Sequence, residues 1–213
     1  MNTPINALLV LNGDLPIVDF SQYDFIICAD GAYDKIKDLA TVNMIVGDMD
    51  SIHSIPQNSI DNVMTSTIMS QNIKCIKLNC EKDHTDGQIA LQELLKLKPK
   101  NIDIIGASGG RIDHILFNLS LCSKCDNITI IDKTFVCKCL QKGTNILNAK
   151  IGSTISLVPF FGKVHINNTK GLKYPVINGQ LDFTGICGIS NVATDIQQSI
   201  EITKGMLLII INT

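Results

Sequence analysis

The chain has 213 residues, of which 45% are hydrophobic and 18% charged, with a formal net charge of −2. This composition supports a buried core and argues against disorder. The near-neutral charge gives no general electrostatic drive toward nucleic acid or anionic membrane, so any phosphate recognition must come from a local site.

In chain order, the apolar run 5–11 ends at Asn12-Gly13-Asp14 and reads as a strand followed by a turn. No positive charge precedes this run, which makes it a poor signal peptide. No apolar run reaches spanning length. The chain is therefore expected to be cytosolic with reduced thiols.

A second buried strand, 25–29, ends at Asp30-Gly31, and a helix is predicted over 33–39. The short apolar run 44–46 stops at Gly47, followed by Asp48-Met49-Asp50-Ser51. In an extended segment, side chains i and i+2 point the same way, so Asp48 and Asp50 converge. Two converging carboxylates repel unless a cation lies between them, and hard oxygen donors suit Mg²⁺. A lone D-x-D also occurs in plain polar loops.

Residues 60–69 are compatible with a helix, and 75–78 reads as a strand. The polar stretch 79–86 leads into apolar residues at helical spacing over 88–97, with Asp83 and Thr85 both suited to cap that helix. Strand 102–105 is followed by Gly106-Ala107-Ser108-Gly109-Gly110-Arg111 and a helix predicted over 112–121, then by strand 128–131. Strand–helix alternation predicts an α/β domain with a mainly parallel sheet over residues 1–133. From 134 to 213 only short β-like runs remain, separated by turn signals that include Gly152-Ser153, Asn167-Asn168 and Asn178-Gly179, which predicts a small antiparallel β-sandwich domain.

Asp30-Gly31, Asp48-x-Asp50, the 83–86 turn and the glycine-rich loop share one address, the carboxyl ends of strands, where open α/β sheets bind ligands. Glycines 106, 109 and 110 let backbone approach an anion, the following helix offers free N–H groups, and Arg111 supplies a planar donor. The loop has neither a Walker A sequence nor a dinucleotide fingerprint, and it also fits a plain strand-to-helix turn. Asp113 suits either a favourable charge at a helix start or a further ligand. Together these residues describe phosphoryl-transfer chemistry. The eight cysteines mostly lie in or beside apolar runs. Cys122-x-x-Cys125 and Cys137-x-Cys139 together would make a four-thiolate set, but a helix end and a strand are not expected to meet in that way, so no structural metal is expected there.

These stretches resemble the thiamine pyrophosphokinase family. The resemblance rests on Cys28-Ala29-Asp30-Gly31-Ala32, Val46-Gly47-Asp48-Met49-Asp50-Ser51, Asp83-His84-Thr85-Asp86 and Gly106-x-x-Gly109-Gly110-Arg111-x-Asp113-His114. In the second domain it rests on Lys170-Gly171-Leu172-Lys173-Tyr174-Pro175 and Ser190-Asn191. It implies transfer of a pyrophosphoryl group from ATP to thiamine, giving thiamine diphosphate and AMP, by a homodimer with thiamine at the subunit interface. It implies Mg²⁺ on Asp48, Asp50 and Asp86, with Asp113 beside the metal or the acceptor hydroxyl. Arg111, Gly109 and Gly110 would hold phosphate, Asp30, Gly31 and Thr85 would line the nucleotide side, and Tyr174, Ser190 and Asn191 would serve the acceptor. Three positions depart from the family pattern: Ala32 for a common second glycine, Tyr174 for the usual Trp, and Gly188 where a serine is frequent. A Mg²⁺-dependent kinase or pyrophosphokinase for another small alcohol, or a nucleotide-binding regulator without activity, would use the same residues; the full carboxylate set favours an enzyme.

Overall fold

The structure is a computed structural model that describes residues 5–54, 66–68, 73–79, 83–186 and 188–212. The chain divides into two compact units. Unit 1 comprises residues 1–121 and 130–132, and unit 2 comprises 122–129 and 133–213.

Unit 1 is built on strands β1 (Asn6–Val10), β2 (Phe25–Ala29), β3 (Met44–Gly47), β4 (Ser66–Ile68), β5 (Ile73–Lys77) and β6 (Asn101–Ile105), with β7 (Ile128–Ile131) following later in the chain. The strand order is β7-β6-β1-β2-β3-β5-β4. The pairs β6–β1, β1–β2, β2–β3 and β3–β5 are parallel, and β4 runs antiparallel to β5. The central strands are buried on both faces, as parallel strands under helices must be, so they read as continuous apolar runs rather than alternating ones. Leu8, Leu9, Val10, Ile27, Cys28, Ile45 and Val46 are all fully buried.

Among the described residues, three α-helices connect the strands: α1 (Ala32–Ile36), α2 (Asp86–Lys96) and α3 (Ile112–Ser120). Helix α2 starts where the sequence places its cap, with the Thr85 hydroxyl accepting from the Gln88 N–H. It buries Gly87, Ala90, Leu91 and Leu94, one stripe at helical spacing, and lies against β1, β2 and β3. Helix α3 differs. It buries none of its residues and leaves Ile112, Leu116 and Phe117 exposed.

The helix considered for 60–69 is a strand where it is described, β4; residues 60–65 and 69 lie outside the described residues. β4 hydrogen-bonds along β5.

Among the described residues, unit 2 holds eight antiparallel strands: β8 (Phe135–Leu140), β9 (Gly143–Leu147), β10 (Thr154–Val158), β11 (Val164–Lys170), β12 (Ile177–Leu181), β13 (Gly188–Val192), β14 (Gln198–Lys204) and β15 (Leu207–Asn212). They form two rows, β13-β10-β15-β8 and β12-β11-β14-β9. Ile155, Leu157, Leu207 and Ile209 from the first row share one core with Val164, Ile166, Ile200 and Ile202 from the second, which makes the unit a sandwich. The fully buried Gln198 is satisfied by the Ala149 N–H and C=O at 3.0 and 3.2 Å, as a polar group there must be. Two of the expected turns are not turns. Asn167-Asn168 sits inside β11 at a register shift, and Asn178-Gly179 sits inside β12. Asparagine tolerates such irregular backbone, so it signals a bulge as readily as a turn.

Candidate active site

The carboxyl ends of β1, β2 and β6 and the start of α2 meet at one cleft of about 400 Å³. Asn12, Gly13, Asp30, Thr85, Asp86, Gly109, Gly110 and Arg111 are among its lining residues. Crossing loops build its floor. The Gly13 N–H donates to the Gly106 carbonyl at 3.0 Å, and the Asp14 N–H donates to the Ser108 carbonyl at 2.7 Å. This interlock needs glycine. A Cβ on Gly13 would fall 1.9 Å from the Ser108 oxygen, and one on Gly106, at φ +73°, would fall 2.1 Å from the Leu11 oxygen. Lys35 ties the first loop down by donating to the carbonyls of Asn12 and Gly13 at 2.6 and 2.8 Å.

Beside the cleft, Asp30, Asp48 and Asp50 bring ligand oxygens within 4.8 Å of one another. Asp30 belongs both to this trio and to the cleft wall. Asp48 and Asp50 converge, but not along an extended strand. Met49 between them is left-handed at φ +68°, and the Asp50 N–H donates to Asp48 Oδ1 at 3.3 Å, so a turn brings the two carboxylates together. Hydrogen bonding to Asp48 and repulsion from it push the Asp50 carboxyl above its usual range. The donor set of clustered hard carboxylate oxygens with open solvent on one side fits Mg²⁺, which keeps several waters or phosphate oxygens of its own. Asp86 lines the cleft next to Thr85, while the trio is completed by Asp30, a residue that the sequence had pointed to the nucleotide instead.

Arg111 and Asp113 form a two-pronged ion pair, Nη2 to Oδ2 at 2.6 Å and Nε to Oδ1 at 3.2 Å. This pairing holds the Asp113 carboxyl below its usual range. The pair is exposed, so solvent weakens it, and the guanidinium retains further N–H donors. Arg111 makes no side-chain cap to α3, and the His114 N–H donates to Asp113 Oδ1 at 3.0 Å, so it is the N–H groups of Ile112 and Asp113 that face the helix start for an anion. Gly31 starts α1 and packs between Asn12 and Ser51.

Sequence reasoning passed over Asn12, Gly13 and Asn118. The first two follow a strand and carry the same positional signal as Asp30-Gly31. Asn118 lies within a helix, where no local pattern marks it; its side chain donates to the Ala107 carbonyl at 3.1 Å and steadies the glycine-rich loop.

In unit 2, Tyr174 is 58% exposed, so it is no core residue. Asn191 is buried, accepting from the Tyr174 N–H at 3.0 Å and donating to the Tyr174 carbonyl at 2.7 Å. Ser190 is left-handed at φ +60°, and its N–H donates to Ser156 Oγ at 3.2 Å. The cysteines differ from expectation in one respect. The helix end and the strand do meet, with the sulfurs of Cys122 and Cys139 3.2 Å apart. Hydrogen bonding to Cys122 and burial raise both Cys137 and Cys139, which keeps them thiols. The Cys125 sulfur is placed against Asp126 instead.

The sequence pattern of the thiamin pyrophosphokinase catalytic domain matches residues 19–134, more than half of the chain, and that of the family's vitamin B1 binding domain matches residues 144–207. The chain belongs to the thiamine pyrophosphokinase family. It is 30% identical over 172 residues to the thiamine pyrophosphokinase of Bacillus subtilis, covering 78% of this chain and 77% of that one. A crystal structure of thiamine pyrophosphokinase from Bacillus subtilis superposes with a TM-score of 0.82 at 26% identity, over 98% of this chain and 99% of the other. A thiamin pyrophosphokinase family protein from Enterococcus faecalis shares the fold, with a TM-score of 0.82 at 24% identity and coverage of 98% and 99%. The chain is thus an enzyme, a transferase of thiamine diphosphate biosynthesis, and its sandwich unit carries the vitamin B1 binding domain. Among the described residues, no helix is long and apolar enough to cross a membrane.

Proposed function

We propose that this thiamine pyrophosphokinase takes its pyrophosphoryl group from ATP, with Mg²⁺ held at the aspartate cluster, and works as a cytosolic homodimer whose thiamine pocket lies at the subunit interface. The observation that carries the reading is that Asp30 joins the glycine cleft to the carboxylate trio, so a phosphate donor and a metal fit side by side.

The nucleotide would lie in the cleft against Gly31 and Thr85. The Gly109-Gly110 backbone, the first turn of α3 and Arg111 would hold its phosphates. Asp48, Asp50 and Asp86 would hold Mg²⁺, which when bound neutralises charge on the phosphate oxygens. Asp113, next to Arg111, would orient the acceptor hydroxyl or steady the arginine. The chain contributes chiefly position and complementary charge, the main requirements of phosphoryl transfer. The dimer reading is supported by the exposed apolar residues of α3 in unit 1 and by exposed Tyr174, Ile177, Phe183, Ile186 and Ile189 in unit 2. The cytosolic reading is supported by Cys28, Cys75, Cys122, Cys125, Cys137 and Cys139, which are thiols rather than disulfides.

The test is to measure AMP released from ATP with and without thiamine, with Mg²⁺ present or chelated. AMP is expected only when both thiamine and Mg²⁺ are present. Thiamine-independent AMP release, or formation of thiamine monophosphate and ADP, would overturn the reading.

Tyr174, held at its main chain by Asn191, would stack on the aminopyrimidine of thiamine, with Ser190 also serving the acceptor. An aromatic wall contributes roughly 0.5–1.5 kcal/mol, so Tyr174→Ala should raise the KM for thiamine about two- to tenfold and leave the KM for ATP unchanged. Tyr174→Trp should bind thiamine as well or better. A parallel rise in both KM values in steady-state kinetics would remove Tyr174 from the pocket.

A further inference from the structure

We propose that Asp30 is a positioning residue, whose carboxylate builds the turn that aims Asp48 and Asp50 rather than binding metal or nucleotide directly. The proposal rests on the reading of Asp48 and Asp50 as Mg²⁺ ligands.

Asp30 ends β2 but stays tied to β3, its N–H donating to the Val46 carbonyl at 2.8 Å. The next residue of β3 is Gly47, and a Cβ there would fall 2.7 Å from the Asp30 Cβ and 2.9 Å from its Cα. Glycine therefore lets Asp30 lie directly against the strand end from which the D-x-D turn departs. From that place both carboxylate oxygens are used. Oδ1 accepts the Met49 N–H at 3.2 Å, and Oδ2 accepts the Ser51 hydroxyl. The two donors flank Asp50 in sequence.

Met49 needs such support. It is left-handed at φ +68°, an uncommon conformation for a large side chain, and it persists only where the surroundings fix it. The Asp30 bond fixes the Met49 N–H, and burial of the Met49 side chain, 1% exposed, fixes the other end. The geometry of Met49 in turn brings Asp48 and Asp50 to one point. Placing a third carboxylate there adds repulsion, and the N–H and O–H donors offset it.

The test compares substitutions that separate a ligand from a support. Asp30→Asn keeps an oxygen for the Met49 N–H, can donate its amide to Ser51 Oγ, and tolerates the left-handed backbone at φ +46°. It lacks the charge that a Mg²⁺ ligand supplies. Asp30→Gly accepts the backbone but loses both bonds. Turnover should be measured against Mg²⁺ concentration at saturating ATP and thiamine, with thermal melting in parallel. Asp30→Asn is expected to keep kcat within about fivefold of the parent, while Asp48→Asn falls by about 100-fold or more. Asp30→Gly is expected to raise the Mg²⁺ concentration for half-maximal rate about tenfold or more, beyond any effect of melting. Ser51→Ala, a milder change should Asp30→Gly fail to fold, is expected to raise it a few-fold with the KM for thiamine unmoved.

Asp30→Asn as inactive as Asp48→Asn would make Asp30 a ligand and overturn the proposal. An unchanged Mg²⁺ requirement in both Asp30→Gly and Ser51→Ala would also overturn it. Turnover of the parent enzyme that ignores Mg²⁺ and chelator is a separate result. It would remove the metal reading itself, and the proposal with it.

Discussion

Asp48→Asn is expected to abolish nearly all turnover while leaving the protein folded. Asp48 follows the last residue of β3 and shares a cluster within 4.8 Å with Asp30 and Asp50. An amide keeps the shape of the side chain and one of its oxygens but not the negative charge that a hard divalent cation selects. Losing an electrostatic contributor of this kind typically costs 10²- to 10³-fold in rate, so a fall of about that size or more is expected in kcat. The folded state should not suffer, because removing one of several crowded carboxylates relieves repulsion; the melting temperature should hold or rise. The measurement is turnover and thermal melting on the same preparation. Near-normal turnover in a folded Asp48→Asn enzyme would refute the metal assignment.

The second large effect concerns stability. Gly106→Ala should strongly destabilise unit 1. The added Cβ would lie 2.1 Å from the Leu11 carbonyl oxygen, and the residue sits at φ +73°. Leu11 cannot easily yield, since its N–H donates to the Ile105 carbonyl at 2.9 Å. A left-handed non-glycine residue costs about 1–2 kcal/mol, and forced overpacking adds about 1–3 kcal/mol. At roughly 2–4 °C per kcal/mol for a chain of this size, melting should fall by roughly 5–15 °C. Gly110→Ala provides the control. It is also left-handed, at φ +103°, but a Cβ there meets nothing within 4 Å, so only the conformational cost applies. Equal losses for the two variants would show that the interlocked loops do not limit stability.

Much of this architecture was legible in the sequence because two periodicities differ. The apolar runs at 5–11, 25–29, 44–46 and 102–105 became β1, β2, β3 and β6, and the stripe through Ala90, Leu91 and Leu94 became α2, capped by Thr85 as its hydroxyl predicts. Where Asn167-Asn168 and Asn178-Gly179 were read as turns, the sequence was ambiguous in principle, since the same residue types also sit within strands, at a register shift in β11 and inside β12. In the site, the shared address at strand ends pointed to the cleft. Sequence could not show which carboxylate would close the trio. That depends on Gly47 permitting Asp30 to approach, a contact between two strands with no sequence spacing of its own. The meeting of Cys122 with Cys139 escaped for the same reason: it follows from where the chain goes after α3, not from the interval between thiols.

The Asn191 side chain grips Tyr174 only at its main-chain N–H and carbonyl, the two groups that every residue except proline possesses. The mount therefore does not depend on which ring it carries. An aromatic at position 174 can be exchanged for another during divergence without rebuilding the scaffold, which gives a physical reason why tyrosine can stand here where relatives of the resembling family usually have tryptophan. The selectivity of the proposed thiamine pocket can therefore drift through a single codon, while the fold beneath it stays unchanged.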